Sequence, residues 1–402
     1  MKVIIVGAGI AGPVLALLLQ HKGFEPVIYE AATSIAPGGS VQLSPQTFKV
    51  LNIVGLAERA IATGQAQESL EFRSHPSGRT LMAVDIPAMI RKEAGWPMCH
   101  AMRSRYVEFL VGAVRERGMR VEFGKKVVRT EQDGEKVKVA FEDGTEDEGD
   151  LLVGCDGMNS DVRALVFSPG KTYYTGIILI GGISRRHPSS LPPSILQVFG
   201  DGAHFLSAPL SSTEVGFQCV FPEPRASADN WRTVPLTNTH GKAMLAALPQ
   251  ARWAGGPARI ISEATSAFRH AACLMDPLQS WHKGRIVLVG DAARPAAPHL
   301  GQGSNQAAED AYHLVRLLCQ PGHLPLSSSE LETALAEYTA LRVPHAKEVV
   351  ASSISEGRLR VLSGPEKCRK RDEALGRSLQ EGRWREVVSR MKGPFEGDKS
   401  EI

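Results

Sequence analysis

Met1-Lys2-Val3-Ile4-Ile5-Val6-Gly7-Ala8-Gly9-Ile10-Ala11-Gly12-Pro13 opens the chain, and this stretch decides the fold. Val3 to Val6 reads as a buried strand that runs into a glycine turn, G-x-G-x-x-G, at Gly7, Gly9 and Gly12. A helix follows, with Pro13 in its first turn, where a missing N–H costs little. A second strand, Pro26 to Tyr29, ends at Glu30, which places an acid about 20 residues beyond the turn. Strand, glycine turn, helix, strand and acid in this order make a dinucleotide fingerprint. The glycines let the backbone approach a pyrophosphate, and Glu30 can accept from ribose hydroxyls. The pattern does not separate FAD from NAD. A signal peptide or membrane helix over Val3 to Leu19 is the competing reading. Against it, three glycines and Pro13 interrupt the run, and Gln20-His21-Lys22 ends it short of a span.

Composition sets the frame around this motif. A length of 402 residues implies two or three domains. Hydrophobic content of 43% with 22% charged residues is ordinary for a globular chain. A net charge of +3 gives no electrostatic case for a nucleic-acid partner. The six cysteines (Cys99, Cys155, Cys219, Cys273, Cys319, Cys368) show neither C-x-x-C nor metal-ligand spacing. They read as buried thiols, so no metal site is expected and the location expected is the cytoplasm, without a stable membrane anchor. Ser400-Glu401-Ile402 matches no peroxisomal or retention address.

Two further stretches repeat the strand-to-turn-to-helix logic. Leu151 to Gly154 reads as a buried strand leading into Cys155-Asp156-Gly157-Met158-Asn159-Ser160-Asp161-Val162-Arg163, where Ser160 or Asp161 can cap a helix. Ile286 to Val289 is another buried strand, ending at Gly290-Asp291. A loop with Pro295, Pro298, Gly301 and Gly303 then delivers the chain to a helix that begins near Ser304 or Asn305. The first N–H groups of that helix lack internal partners and carry the positive end of its dipole. Between these stretches, Gly38-Gly39-Ser40-Val41-Gln42-Leu43-Ser44-Pro45 precedes a helical segment, Thr47 to Ala62. Ser69 to Asp85, broken at Pro76-Ser77-Gly78, reads as a hairpin, and Met102 to Leu110 opens an amphipathic helix. Asp133-Gly134 and Asp143-Gly144 mark hairpin turns flanking Val137, Val139 and Phe141. From about Lys171 to Met275 the pattern becomes strands: Ile177 to Ile183, Ile195 to Phe199, Ala203 to Ala208 and Val215 to Phe221. The run Lys367 to Arg371 reads as a solvated face, and residues beyond about 393 as a frayed tail.

Taken in order, these motifs resemble those of the class A FAD-dependent monooxygenases, the para-hydroxybenzoate hydroxylase and salicylate hydroxylase type. G-D-A-A-R-P-A-A-P-H-L-G-Q-G-S-N at Gly290 to Asn305 follows that family's G-D-A-x-x-P-x-x-x-G-Q-G-x-N nearly residue for residue. D-G-M-N-S-D-V-R at Asp156 to Arg163 follows its D-G-x-x-S-x-V-R, and Arg103, Tyr106 and Leu110 follow its R-x-x-L-x-x-x-L with Tyr106 a variant. The resemblance covers about residues 1 to 350. It implies an α/β fold: a Rossmann-like FAD-binding domain of the glutathione-reductase type, an inserted, mostly antiparallel β-sheet substrate domain, and C-terminal helices. The expected division gives 1–68, 100–170 and 276–350 to the FAD domain, 69–99 and 171–275 to the substrate domain, and 351–402 to helices and tail. The cofactor residues it implies are Gly7, Gly9, Gly12, Glu30, Ser40, Arg103, Asp156, Gly157, Asp291, Pro298, Gly301, Gly303, Ser304 and Asn305. No catalytic side chain and no metal ligand is assigned. The implied chemistry uses FAD, with NAD(P)H and O2 as co-substrates. The nicotinamide reduces FAD, O2 adds at C4a, and the flavin hydroperoxide gives one oxygen to an aromatic or unsaturated small molecule. A monomer or homodimer is expected.

The chain departs from that pattern where substrate would lie. Many phenol-hydroxylating members carry an arginine on the first strand of the substrate sheet and a tyrosine before a later proline. Here those positions fall near Leu179-Ile180-Gly181 and at Ser207-Ala208 before Pro209. Arg294 stands where a histidine is common, Ser40 replaces a glycine, and Gln46 an asparagine. An apolar wall cannot cheaply hold an unpaired carboxylate, so a neutral substrate is expected. Arg185, Arg186, His204 and Arg294 are the residues that could supply a charge instead, with the first three expected at the surface or on an edge strand. Epoxidation or ring modification is the alternative within enzymes, and a flavin-binding redox protein without hydroxylase activity lies outside them. An NAD-dependent dehydrogenase leaves the second and third motifs unexplained.

Overall fold

The computed structural model describes residues 1–36, 38–167, 172–186, 194–223, 234–235, 239–275, 278–295, 298–380, 385, 388–389, 391–396 and 400–402. The loop residues 296–297, and the division points expected at 170/171 and 275/276, lie outside the described residues.

The N-terminal strand Lys2–Val6 sits between Leu151–Gly154 and Glu25–Glu30, parallel to both. Ile286–Leu288 extends this sheet on one side and Arg120–Phe123 on the other, again parallel. Strands buried on both faces read as continuous apolar runs, which is why Val3 to Val6, Leu151 to Val153 and Ile286 to Leu288 are fully covered. His282–Lys283 adds a short antiparallel edge. The first helix, Ala11–His21, is buried from Ala11 to Leu19, so its nearly uniform apolarity reflects a core helix packed on the helix Gly303–Leu318.

Among the described residues the second large sheet has eight strands. Thr172–Arg185 pairs antiparallel with both Glu214–Pro222 and Ala264–Met275. His204–Pro209 and Ser194–Phe199 continue the sheet outward. Ser69–Ser74 and Thr80–Val84, the expected hairpin, end it on that side, joined through one parallel pairing to Ser194–Phe199, and Val234–Pro235 ends it on the other, beside Ala264–Met275. The sheet is therefore mostly antiparallel. A three-stranded sheet (Val127–Gln132, Val137–Phe141, Glu146–Gly149) contains both expected hairpin turns.

Two helical boundaries and the tail differ from expectation. The segment Thr47 to Ala62 divides into Pro45–Ile53 and Ala57–Ile61, because Gly55 takes a left-handed φ of 69° between them. The helix Ser328–Arg360 starts at a capping box formed by Ser327 and Glu330 and continues through the division expected at 350. The C-terminal tail, expected to fray, is docked in its described part. Phe395 packs on Tyr312 at 5.0 Å between centroids, Lys49 donates to the Phe395 carbonyl at 3.1 Å, and Arg316 pairs with Glu401 at 3.0 Å. Among the described residues no helix is long and apolar enough to cross a membrane.

Candidate active site

Three strand ends converge because three tight turns interlock. Gly7 has a φ of +110°, and a Cβ built there would stand 2.4 Å from the Cys155 carbonyl oxygen. A Cβ on Gly12 would stand 2.0 Å from the Gly7 carbonyl oxygen. The first glycine thus admits the strand bearing Asp156, and the third admits the first helix against the turn. Glu30 is fixed by two backbone donors, Ala8 at 2.7 Å and Ala32 at 2.9 Å.

The second turn is held by its own acid. Asp156 accepts from Ser160 Oγ at 2.5 Å and from the Val162 N–H at 3.0 Å, while Ser160 caps the following helix through the Arg163 N–H. Burial raises the Asp156 carboxyl above its ordinary range, and these hydrogen bonds act in the opposite direction. The Arg163 guanidinium donates to the carbonyls of Met158 and, at 2.7 Å, Ala292. It therefore bolts the second turn to the third, a role that no spacing argument revealed.

Behind the third turn lies a buried ion network. Asp310, on the helix Gly303–Leu318, accepts from the Gly290 N–H at 3.2 Å and from Arg342 Nε at 2.6 Å, and lies 3.5 Å from Arg294. Arg342 also reaches Gln306 at 2.9 Å and stands 3.6 Å from Glu309. Burial alone would raise the Asp310 carboxyl; the Arg342 and Arg294 guanidiniums bring it below the ordinary range. The network locks the two long helices to the Gly290-Asp291 turn.

These turns open on a cavity of about 1010 Å³. Gly7, Gly9, Glu30, Ser40, Arg103, Asp156, Gly157, Asp291, Pro298, Gly301, Gly303 and Ser304 all line it. Two expected residues do not. Gly12 acts one layer back, through the close packing just described. Asn305 is fully buried with its amide saturated: it accepts from the Ser44 N–H (2.8 Å) and Thr47 Oγ1 (2.7 Å), and donates to the carbonyls of Gln42 (3.2 Å) and Gly301 (3.1 Å). It clamps the segment after Ser40 onto the helix start. The Asp291 carboxylate has no hydrogen-bond donor among the described residues; burial raises its pKa, and nearby Arg294 and Arg103 oppose that. The Arg103 guanidinium likewise has no hydrogen-bond partner among them; its side chain lies along Gly38 and reaches Gly9.

The opposite wall is apolar, with contributions from Leu70, Phe72, Met82, Ile90, Leu206 and Phe268, and the amides Gln197 and Gln218. Where relatives by resemblance carry arginine, Gly181 leaves a slot for the Phe268 ring: a Cβ at Gly181 would stand 2.6 Å from it, and one at Gly39 2.5 Å. Ser207 and Ala208 are buried and do not line the cavity. Of the four residues that could supply a charge, only Arg294 lines it. Arg185 is exposed, and Arg186 donates to the Ser211 carbonyl at 2.9 Å. His204, expected near the surface, is wholly buried because its strand has neighbours on both sides; it bonds Gln197 at 3.0 Å. Arg371, expected in a solvated run, is also buried, stacking on Phe199 at 5.3 Å and donating to the Gly200 carbonyl at 2.8 Å.

A parallel nucleotide-binding sheet with a second, mostly antiparallel sheet facing its turns across one cavity defines a two-domain flavoprotein architecture. A family model described as FAD binding domain matches residues 1–353, and the chain belongs to that family, with FAD as its cofactor. Among its relatives, 3-amino-4-hydroxybenzoate 2-monooxygenase of Streptomyces cremeus is 30% identical over 93% of this chain and 91% of that protein. The FAD-dependent urate hydroxylase of Mycolicibacterium vanbaalenii is 28% identical over 87% and 86%. The crystal structure of Klebsiella pneumoniae HpxO with FAD and uric acid superposes with a TM-score of 0.85 at 24% identity, covering 98% of this chain and 97% of that one. A salicylate hydroxylase substrate complex gives 0.75 at 21%, covering 99% of each. The chain is thus an FAD-dependent enzyme of the class A monooxygenase type.

Proposed function

We propose that this enzyme inserts one atom of O2 into a neutral aromatic or unsaturated small molecule, consuming NAD(P)H. The reading includes the division into FAD and substrate domains set out above, with the last boundary of the FAD domain moved from 350 to the end of the helix at Arg360. It also places the enzyme in the cytoplasm as a monomer or homodimer without a nucleic-acid partner. FAD, when bound, carries the two electrons from nicotinamide and activates oxygen for transfer. The residues present suit it. Glu30 at the strand tip accepts ribose hydroxyls, and the Gly7 to Gly9 backbone admits a pyrophosphate. Arg103 and Asp291, both lacking hydrogen-bond partners within the described protein, offer one donor and one acceptor to the polar parts of the cofactor. The helix that begins at Gly303 turns its first N–H groups toward the cavity, favouring negative charge there by about 1 kcal/mol. The apolar wall excludes water, which protects a reactive oxygen species from unproductive decay.

The observation that carries the neutral-substrate reading is the Phe268 ring seated in the slot left by Gly181. Charge balance supports it. Arg294 stands 3.5 Å from Asp310 and Arg360 pairs with Glu356 at 3.1 Å, so each cation has a carboxylate beside it. Desolvating an unpaired carboxylate would cost several kcal/mol. Rapid-mixing measurements of NAD(P)H-driven flavin reduction with benzoates and their methyl esters test this. The esters are expected to accelerate reduction more; a consistent preference for the free acids overturns the neutral pocket and points to Arg294.

A further inference from the structure

The helix Ser328–Arg360 presents Val349, Ser353, Glu356 and Arg360 to the cavity, a spacing of four, three and four residues that keeps all four on one helical face. The matched family region ends at 353, and Glu356 and Arg360 lie just beyond it. The Arg360 side chain is 6% exposed and its Nε donates to Glu356 Oε1 at 3.1 Å. Among the described residues this is its only hydrogen bond, which leaves both terminal guanidinium nitrogens without acceptors. The second Glu356 oxygen is likewise without a donor there. Arg360 stands near His204 on the eight-stranded sheet and near His299, acting electrostatically on both, so the pair sits where the long helix meets that sheet. The intervening Gly357 is explained by the same site: a Cβ there would meet the His299 ring at 2.5 Å. His299 is itself buried, and neither ring nitrogen has a hydrogen-bond partner among the described residues. Burial, reinforced by Arg360, pushes its pKa down to about 3, so it adds no charge at neutral pH.

From this juxtaposition we infer that Glu356 and Arg360 determine specificity by recognising a neutral ring that carries a carbonyl beside an N–H, as in a fused lactam. The pair, with Arg360 buried and Glu356 partly exposed, has no net charge, yet it offers a donor face and an acceptor face side by side. Guanidinium Nη–H groups donate to the substrate carbonyl, and the free carboxylate oxygen accepts the substrate N–H. A hydrocarbon ring leaves both faces unpaired, and a carboxylate satisfies the donor face but leaves the acceptor face without an N–H. A site built for hydrogen bonding therefore rejects the analogue that lacks the polar edge more strongly than an apolar pocket rejects a change in size. The inference rests on the oxygenase reading above and adds the substrate's polar edge to it.

The test uses purified enzyme with its FAD, reading the change in flavin absorbance as ligand is added. The probes are 2-quinolone, N-methyl-2-quinolone and quinoline. Wild-type protein is expected to bind 2-quinolone about tenfold or more tighter than either of the other two, about one hydrogen-bonded pair. Arg360→Met should remove the preference for 2-quinolone over quinoline, whereas Arg360→Lys should keep part of it. Glu356→Ala should remove the discrimination between 2-quinolone and its N-methyl derivative. Wild-type affinities within about twofold of each other, or no saturable response to 2-quinolone, overturn the inference without any variant. Full preference retained in Arg360→Met, with flavin bound, overturns it too. Protein that binds no flavin overturns the oxygenase reading and this one together; flavin-bearing protein indifferent to the lactam overturns this one alone.

Discussion

The wall of the cavity formed by the parallel-sheet domain is shaped by backbone, and the wall formed by the eight-stranded sheet and the long helix is shaped by side chains. On the first, Gly7 is fixed by an atom 2.4 Å from any Cβ and Glu30 and Asp156 are committed to backbone N–H groups, while, one layer behind, Gly12 is fixed by an atom 2.0 Å from any Cβ and Asn305 is saturated. On the second, Phe268, Leu206, Gln197 and Arg360 come from four separate elements, and none is imposed by a turn. Backbone constraints admit one residue type, whereas a packed wall of side chains admits many of similar volume. The first wall should therefore fail when altered, and the second should change its preferences.

The largest effect is expected at Gly12. Gly12→Val forces the first helix off the Gly7 turn, overpacking worth about 3 kcal/mol or more. The variant should purify without flavin colour; normal cofactor content would remove the backbone from the comparison. Asp310→Ala comes next, because it strands Arg342 and Arg294 in the interior at about 3–5 kcal/mol. Chemical denaturation reads this loss directly. Its pH dependence has a definite sign. The folded Asp310 carboxyl lies below its ordinary range, so its stabilisation is complete above the unfolded pKa near ~3.9 and is lost as pH falls through the lower folded value. The variant should lack that acid-side contribution.

Asp291 makes the contrast within one domain. Its folded pKa is raised, so in the cofactor-free protein its ionisation costs stability as pH rises through the folded value, the opposite sign to Asp310. A carboxylate left unpaired by the protein is available to a ligand. Asp291→Ala should weaken FAD retention by about 1.5–3 kcal/mol, measured by equilibrium dialysis against free FAD, while leaving the apoprotein no less stable. Unchanged retention would move Asp291 out of the site. The smallest effect is expected at Phe395, outside both walls. Phe395→Ala loses the ring contact with Tyr312, about 1 kcal/mol of thermal stability, with flavin content and substrate preference unchanged.

What could be read in the chain follows the same line. The parallel sheet and its turns were legible because glycine, acid and helix start must fall at set intervals, and twelve cavity-lining positions were legible through the resemblance carried by the ordered motifs. The absence of charge at Gly181 was legible as well, but Phe268, which fills the slot, was not, since it arrives from a strand 87 residues later. Arg163 lay inside a quoted motif without a role because its acceptor, the Ala292 carbonyl, is 129 residues away. Arg371 sits among Lys367, Arg369 and Lys370, which are exposed; only it and Cys368, three residues apart, share the face turned to the sheet. His204 looked like an edge residue because strand order within a sheet is not written in any one strand.

The helix Ser328–Arg360 holds Arg342 in the ion network near its middle and Arg360 at its C-terminal end. At 1.5 Å per residue the two are about 27 Å apart along the axis, on a single continuous element. The chain between them is therefore a phase as well as a length. One inserted residue would turn everything beyond it by about 100° and carry Glu356 and Arg360 away from the cavity, while about seven would restore the facing but displace it two turns along. Substrate range in this enzyme can thus shift by substitution on that one helical stripe, but an insertion or deletion there would disengage the stripe from the ring it faces.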